Sequence, residues 1–524
     1  MNITISRGAD GSRLLEDPQF RARWAALCER CPWSTSYQLP AFVLAWYRIY
    51  AGKFEPVIVT GRGQAGELCG VLCMAVSLDE GELVAAGTTQ AEYQTWVSGP
   101  ESAGEFALGA VLALRREFSN QVLEFCYLPP GVPLNWLADR RVRSGVVLTK
   151  KPRPLLRFAR MSDDSLNKTN NKKRLKGLKK LGGLAFRKLT GADELAAVFD
   201  EFASFYDLRL GAMHGIEPFA QDPLRKSFQL ELMKEPGLLH ATILKAGDRL
   251  ASAHINVRDG KQLHLNLIGY NPLLAKHSPG KFHIHMLSQM LIAEGCEELD
   301  LTPGGDPYKE RFANAHDRAH VLSFHPTMGS RLKGVVQSRS EAWARRGLRA
   351  LHIHPARARD ALADLRSGHL HASLAARIRD RANSRRPIKL YALSIPAEPD
   401  AVAPTEDFRR DSIDDLLAYH PVDGGLPRKR FLLDAMNRLE EGQHPYTCVR
   451  DGRLIYVGWM IERPSAVFVS RVLPGVELPA NHALILALGS HRAANEPKLE
   501  SACLAAMLGD LSRTSGIERA MVVV

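Results

Sequence analysis

The 524-residue sequence is 45% hydrophobic and 24% charged, with a net charge of +12, a balance that excludes a disordered or fibrous chain. At about 100–200 residues per domain it is too long for one core and implies three or four units. No apolar run reaches the ~18–20 residues that cross a bilayer, and the first residues show no apolar leader, so a location in the cytoplasm or at the cytoplasmic face of the inner membrane is expected.

In chain order, Cys28 and Cys31 come first, spaced C-x2-C. No second pair with zinc-like spacing follows, and the eight cysteines are sparse, so neither a metal site nor a disulfide framework is expected. Pro56 to Gly87 alternates apolar runs with short Gly turns, the pattern of an antiparallel meander. The helical pattern EFALGAVLALRREFSN and the strand pattern QVLEFCYL follow. Ser165 to Leu189 then holds nine Lys/Arg and no acid, a block suited to phosphates, anionic headgroups or nucleic acid, or simply to water.

The unit recurs twice. The helical DELAAVFDEFASFYDLRLG precedes a meander from His240 to Asn271, then the helix KFHIHMLSQMLIAEG and the strand EELDL. The third copy runs from RKRFLLDAMNRLEEG through a meander at Pro445–Gly475 to the helix KLESACLAAMLGDLSRTSG and the strand IERAMVVV. In the second and third copies the later helix ends in Gly, a natural C-cap. Between these copies, Arg331 to Lys389 carries fifteen Lys/Arg against four acids and reads as a basic helical connector. The expected fold class is mixed α/β, each unit a mixed central sheet with flanking helices.

One stretch carries more than topology. Ile268 to Phe312 holds Gly269-Tyr270, Ser278-Pro279-Gly280, Gly295, Asp300, Gly305 and Tyr308-Lys309 in series. This order resembles the GNAT acyltransferase superfamily, and more narrowly the cellulose-biosynthesis D-like proteins related to Fem-type peptidyltransferases. Asn271 stands where that pattern usually has Asp. The resemblance implies tandem GNAT-like units: an N-terminal half at 1–155, an acyltransferase domain at 156–328, the connector at 329–387 and a C-terminal copy at 388–524. The last copy is expected to be degenerate, because RAANEP brings an acid and no Gly to the place of the phosphate loop.

Acyl transfer from a thioester needs a held pyrophosphate, a polarised carbonyl, a deprotonated nucleophile and a stabilised thiolate. Ser278, Pro279, Gly280 and Lys281 open a helix, and free N–H groups at a helix N-terminus bind phosphate oxygens. In this fold the carbonyl is usually polarised by backbone at the end of HLNLIGY. The resemblance places Tyr308 near the donor sulfur, to protonate the thiolate or donate a hydrogen bond to it. Lys309 diverges from Tyr308 by about 100° on a helix and is expected on a phosphate or carboxylate. Asp300 faces away from Leu299 and Leu301 and is expected as a base, an acceptor-orienting acid or a turn acid. His254 is the expected general base. Asn256, His264, Asn266 and Tyr270 are expected to line the acceptor site.

The function that follows is an acyl-CoA-dependent acyltransferase without a metal, acetylating an amino sugar or related, lipid-linked precursor of an extracellular polysaccharide. Peripheral contact with an anionic membrane and a homodimer are expected with it. The alternatives are a Fem-type transferase using aminoacyl-tRNA and a non-catalytic partner of a polysaccharide synthase.

Overall fold

A computed structural model describes residues 1–161, 169–327, 329–332, 389–395, 408–421, 425–492 and 497–523. Residues 333–388, nearly all of the basic connector, and the acid of RAANEP therefore fall outside the described residues, as does Lys168. Three sheets organise the chain. The first has five strands, with Asn2–Arg7, Phe54–Arg62, Leu68–Ser77 and Leu83–Ala85 in order and Val97–Ser98 paired to Leu68–Ser77. The last has six, in the order Leu390–Ser394, Arg519–Val523, His482–Arg492, Arg453–Ile461, His444–Arg450 and Arg409–Arg410.

The middle sheet has eight strands: β1 (Leu123–Leu128), β2 (Val146–Arg157), β3 (Leu184–Lys188), β4 (Leu239–Ala246), β5 (Arg249–Asp259), β6 (Gln262–Tyr270), β7 (Glu298–Asp300) and β8 (Ala315–Phe324). Their order is β1-β8-β2-β7-β6-β5-β4-β3. The expected boundary at residue 155 thus falls inside β2, a central strand. β1, expected to complete the first unit's sheet, instead pairs with β8. Local pattern names a strand but not its partner, and β8 offered β1 a free edge.

Helices cover both faces of this sheet. On one face lies α2 (Ala192–His214), which buries Leu195, Phe199, Phe202, Leu208 and Ala212 at helical spacing. On the other lie the basic helix α1 (Thr169–Lys179) and α3 (Pro279–Ala293), the latter burying Phe282, Ile284, Leu287 and Leu291. A short helix, α4 (Pro307–Glu310), follows β7. α2 also meets the third unit, where a Cβ on Gly211 would stand 2.6 Å from Leu432 Cδ1. One apolar core runs through all three units, from Trp24 through Phe202 to Trp459. One expected strand is a helix: Ala466–Val472 is β-branched but is capped by Ser465, whose side chain accepts from Phe468 N.

Candidate functional site

β6 and β7 run parallel and pair through Gln262↔Glu298, Leu263↔Leu299 and His264↔Asp300 only. Beyond Asp300 the chain turns away while β6 continues to Tyr270, so the two strands splay. A bulge prepares this. The β5–β6 register shifts between Ile255↔Leu267 and Val257↔His264, which inserts one extra residue into β6. The bulge falls between His264 and Asn266, two of the expected acceptor residues.

The turn after β7 is pinned at Thr302. Its N–H donates to Asp300 Oδ1 at 2.8 Å, and its hydroxyl donates to Leu265 O at 3.3 Å. Thr302 has φ +61°, and Ser278 at the other end of the splay has φ +54°. A side chain in this left-handed region costs about 1–2 kcal/mol, and such residues collect at binding sites.

The ends of two helices close the opening. Ser278 is the N-cap of α3, yet no side chain caps that helix. Its hydroxyl accepts instead from Arg174 Nη1 of α1 at 3.1 Å, while Lys281 Nζ donates to Asn171 Oδ1 at 3.2 Å. The basic helix is thereby held against the expected phosphate cradle. Gly177 permits the approach, since a Cβ there would lie 2.5 Å from the His277 ring. Lys172, Lys173, Lys176, Lys179 and Lys180 share the exposed face, and among the described residues no ion pair neutralises them. Between α3 and the end of α4, a cavity of about 200 Å³ is lined by Lys281, His285, Arg311 and Phe312.

Tyr308 stands half-buried at the splay, with the Arg209 guanidinium 5.8 Å from its ring centroid. Arg209 Nη1 also donates to Ile268 O at 3.4 Å, on the unpaired part of β6. Burial raises the Tyr308 phenol above its ordinary range, against the opposing pull of Arg209. A phenol so held gives up its proton poorly but keeps it to donate. Of the two expected roles for Tyr308, hydrogen-bond donation therefore fits.

Several expected roles change. Lys309 is turned inward: its ammonium donates to Thr302 O at 3.1 Å, Thr302 Oγ1 at 3.0 Å and Pro303 O at 3.4 Å. It fastens the turn and has no reach to a phosphate. Asp300 is wholly buried and accepts from Arg153 Nε, the Tyr93 hydroxyl and Thr302 N–H. Of its expected roles, the structural turn acid fits and the base does not.

His254 lies beneath α3, its ring stacked on His283 at 3.7 Å and 9°. Burial, with Arg209 nearby, lowers its pKa to about 3, so it cannot serve as the base. Asn256 is buried, with its Oδ1 accepting from Asn266 N at 3.3 Å. His264 is buried, its ring stacked on Tyr37 at 5.6 Å. Tyr270 donates its hydroxyl to Glu440 of the third unit at 2.7 Å. Of the expected acceptor residues, Asn266 and Tyr270 are half-buried, while Asn256 and His264 are buried. A larger cavity of about 1000 Å³, lined by Trp33, Tyr93, Arg157, Lys261 and His264, lies toward the opposite end of these strands.

Two residues of the site carry no sequence signal. Arg209 is one cation among many on a long helix. Tyr93 belongs to the first unit, in a loop fixed by Tyr127 N donating to Glu92 O at 3.1 Å and Gln94 N donating to Tyr127 O at 2.8 Å. Its hydroxyl donates to Asp300 Oδ2 at 2.6 Å, so this loop reaches β7 where the splay starts. Among the described residues no three His, Cys, Asp or Glu side chains group to hold a metal ion. No helix there is long and apolar enough to cross a membrane.

Residues 167–310 match a family model described as an acetyltransferase (GNAT) domain, and these residues hold the splay, the cradle and Tyr308. Over those residues the chain resembles a GNAT domain, set within a mixed α/β architecture. No curated protein matches it. Solved structures similar to it include the C-terminal domain of a putative lysylphosphatidylglycerol synthetase from Agrobacterium fabrum, at 13% identity over 60% of this chain and 94% of that one, TM-score 0.40. FemX matches at 9% identity over 58% and 95%, TM-score 0.39. A tandem GNAT protein from the clavulanic acid biosynthesis pathway matches at 10% identity over 62% and 99%, TM-score 0.35.

Proposed function

We propose that this protein transfers an acyl group from acyl-CoA to the amine of an amino sugar or related precursor used in extracellular polysaccharide assembly. The observation that carries the donor half is the splay of β6 from β7, closed at one end by the uncapped start of α3 with Arg174 and Lys281 beside it. In this reading the first turn of α3 and the cations of α1 hold the pyrophosphate. The pantetheine lies along the unpaired edge of β6. Arg209 and strand backbone polarise the thioester carbonyl, and Tyr308 donates to the departing thiolate. The acceptor half rests on the resemblance alone, and the lysine face of α1 would draw a lipid-linked acceptor or an anionic membrane to the donor.

Calorimetry with acetyl-CoA tests this, using the full chain and Gly280→Trp. A Cβ at Gly280 meets only Tyr270 Cδ1 at 3.8 Å, so the variant folds while its indole fills the cradle. One equivalent bound by the wild type and lost in the variant supports the reading. No binding at millimolar acetyl-CoA ends it.

A second reading has its own observation. The five exposed lysines on one face of α1, with no ion pair among the described residues, also suit the backbone of a charged tRNA. RNA binding whose affinity falls steeply with salt, lost when the five become glutamine, would favour it.

A further inference from the structure

We propose that the cavity between the first and second units binds a hydroxylated, amine-bearing chain, an oligosaccharide of amino sugars, with an ammonium on Asp259. This site lies apart from the donor splay, and the inference goes beyond the acyl-transfer reading without resting on it.

The cavity measures about 1000 Å³, the upper end of the ~300–1,000 Å³ usual for small-molecule sites, and so has room for more than one sugar ring. The first unit supplies Trp33, Tyr93, Pro129 and Pro130. The second supplies the tip of the β5–β6 hairpin, the end of β2 and the starts of β7 and β8. Hydrogen bonds across the two units fix these walls. The Ser36 hydroxyl donates to Arg258 O at 2.7 Å and lies 3.2 Å from Asp259 Oδ1. The Tyr93 hydroxyl donates to Asp300 Oδ2 at 2.6 Å, and Trp33 Nε1 donates to Trp96 O at 2.9 Å. The site is therefore formed before a ligand arrives.

The charges of the lining decide what it takes. Among the described residues three cations line it, and each already has a carboxylate. Arg153 Nη1 donates to Asp317 Oδ2 at 2.9 Å, Arg157 Nε to Glu298 Oε2 at 3.1 Å, and Lys261 Nζ to Glu297. Asp259 is the fourth carboxylate, and among the described residues no Lys or Arg pairs with it. The basic group beside it is His264, whose Nε2 lies 3.6 Å from Asp259 Oδ2. Burial lowers that imidazole below its ordinary range, so it is neutral at pH 7. The Asp259 side chain stays 25% exposed.

An uncompensated carboxylate in a chain of net charge +12 marks a place for a cation. A nucleotide or RNA phosphate would meet four carboxylates here, like charge against like. The three ion pairs along the wall offer N–H donors and carboxylate acceptors side by side. A hydroxyl, at once donor and acceptor, satisfies that pattern. Pro129, Pro130 and Ile292 give apolar faces to the ring C–H groups.

Calorimetry on the full chain without acetyl-CoA tests this. The probes are a β-1,4-linked glucosamine trimer, its N-acetylated counterpart and a galacturonate trimer. Wild type is expected to bind the glucosamine trimer saturably, the N-acetylated trimer about tenfold more weakly or worse, and the galacturonate trimer not at all. Asp259→Asn keeps the shape and the Ser36 contact but removes the charge, and should lose about tenfold or more in affinity for the glucosamine trimer. Ala159→Trp, at an exposed lining residue, fills the cavity and should abolish binding. Both variants should match wild type in a separate titration with acetyl-CoA. No binding of the glucosamine trimer by wild type at millimolar concentration overturns the inference. So does an N-acetylated or galacturonate trimer that binds as tightly, or an affinity unchanged in Asp259→Asn or Ala159→Trp. Wild type that binds the trimer but not acetyl-CoA strikes the donor reading alone.

Discussion

Arg153 Nε lies 2.9 Å from Asp300 Oδ2, and the two side chains are 6% and 0% exposed. The same guanidinium reaches Asp317 at 2.9 Å and Gln262 at 3.3 Å. The pair joins β2 to β7 and fixes the point from which the splay starts. Breaking a buried pair by removing one partner strands the other charge, at about 3–5 kcal/mol. Asp300→Ala should therefore lower the unfolding free energy by that amount in urea titrations. Near-normal stability with the acyl-transfer rate abolished would return Asp300 to the chemistry.

Lys309 presents the same choice between scaffold and ligand contact. Its three hydrogen bonds to Thr302 and Pro303 hold a β-branched residue in a left-handed conformation. Lys309→Met should cost about 1.5–3 kcal/mol, the range for hydrogen bonds to a charged group. Acetyl-CoA affinity of the folded fraction should stay within about twofold. A variant of normal stability that binds donor tenfold more weakly would show that the ammonium reaches a phosphate after all.

Tyr308→Phe removes the proposed donor to the thiolate and little else. Loss of one preorganised donor costs about 10²–10³ in rate, so kcat should fall about 100-fold with KM little changed. Because the phenol is raised, it stays protonated across the working range. The alkaline limb of the wild-type profile should therefore survive in the variant. A limb that disappears with the hydroxyl would show that Tyr308 gives up its proton during turnover.

The His254–His283 stack predicts acid sensitivity. His283 accepts or donates at both ring nitrogens, to Thr242 Oγ1 at 2.9 Å and Ser252 Oγ at 2.7 Å, and burial lowers it well below the ordinary range. His254 titrates at about 3 when folded, against 6.5 for an unburied imidazole. Between these values the unfolded chain binds more protons, so stability rises with pH. This contribution is complete above about 6.5 and drains toward 3, at about 1.4 kcal/mol per pH unit for one such group. Urea midpoints of wild type should therefore fall more between pH 7 and pH 4.5 than those of His254→Gln. Equal falls would place the acid sensitivity elsewhere.

Much of the middle unit was legible because its signals are local. The Gly295 C-cap, the helix after Ser278-Pro279 and the β5–β6 hairpin each depend on residues a few positions apart. Asp300 opposite its flanking leucines followed from strand alternation alone. What failed was long-range. The burial of His254 needs α3 above it, and the inward turn of Lys309 needs Thr302 already in place. The bulge between His264 and Asn266 leaves no mark in an alternating pattern, because an extra residue in β6 reads as one more strand position. Tyr93 was invisible for a stronger reason: it is 207 positions from Asp300 in sequence, and nothing in its own neighbourhood marks it.

The placement of β2 has a temporal consequence. It sits between β7 and β8, both of which leave the ribosome some 140 residues or more after it. At about 5–20 residues per second, a newly made Val146–Arg157 waits on the order of ten seconds or longer with both edges unpaired. Such edges invite pairing with other chains. The arrangement that unites two units around one splay therefore leaves the nascent chain exposed to wrong partners, and slower translation through β7 and β8 should lengthen that exposure.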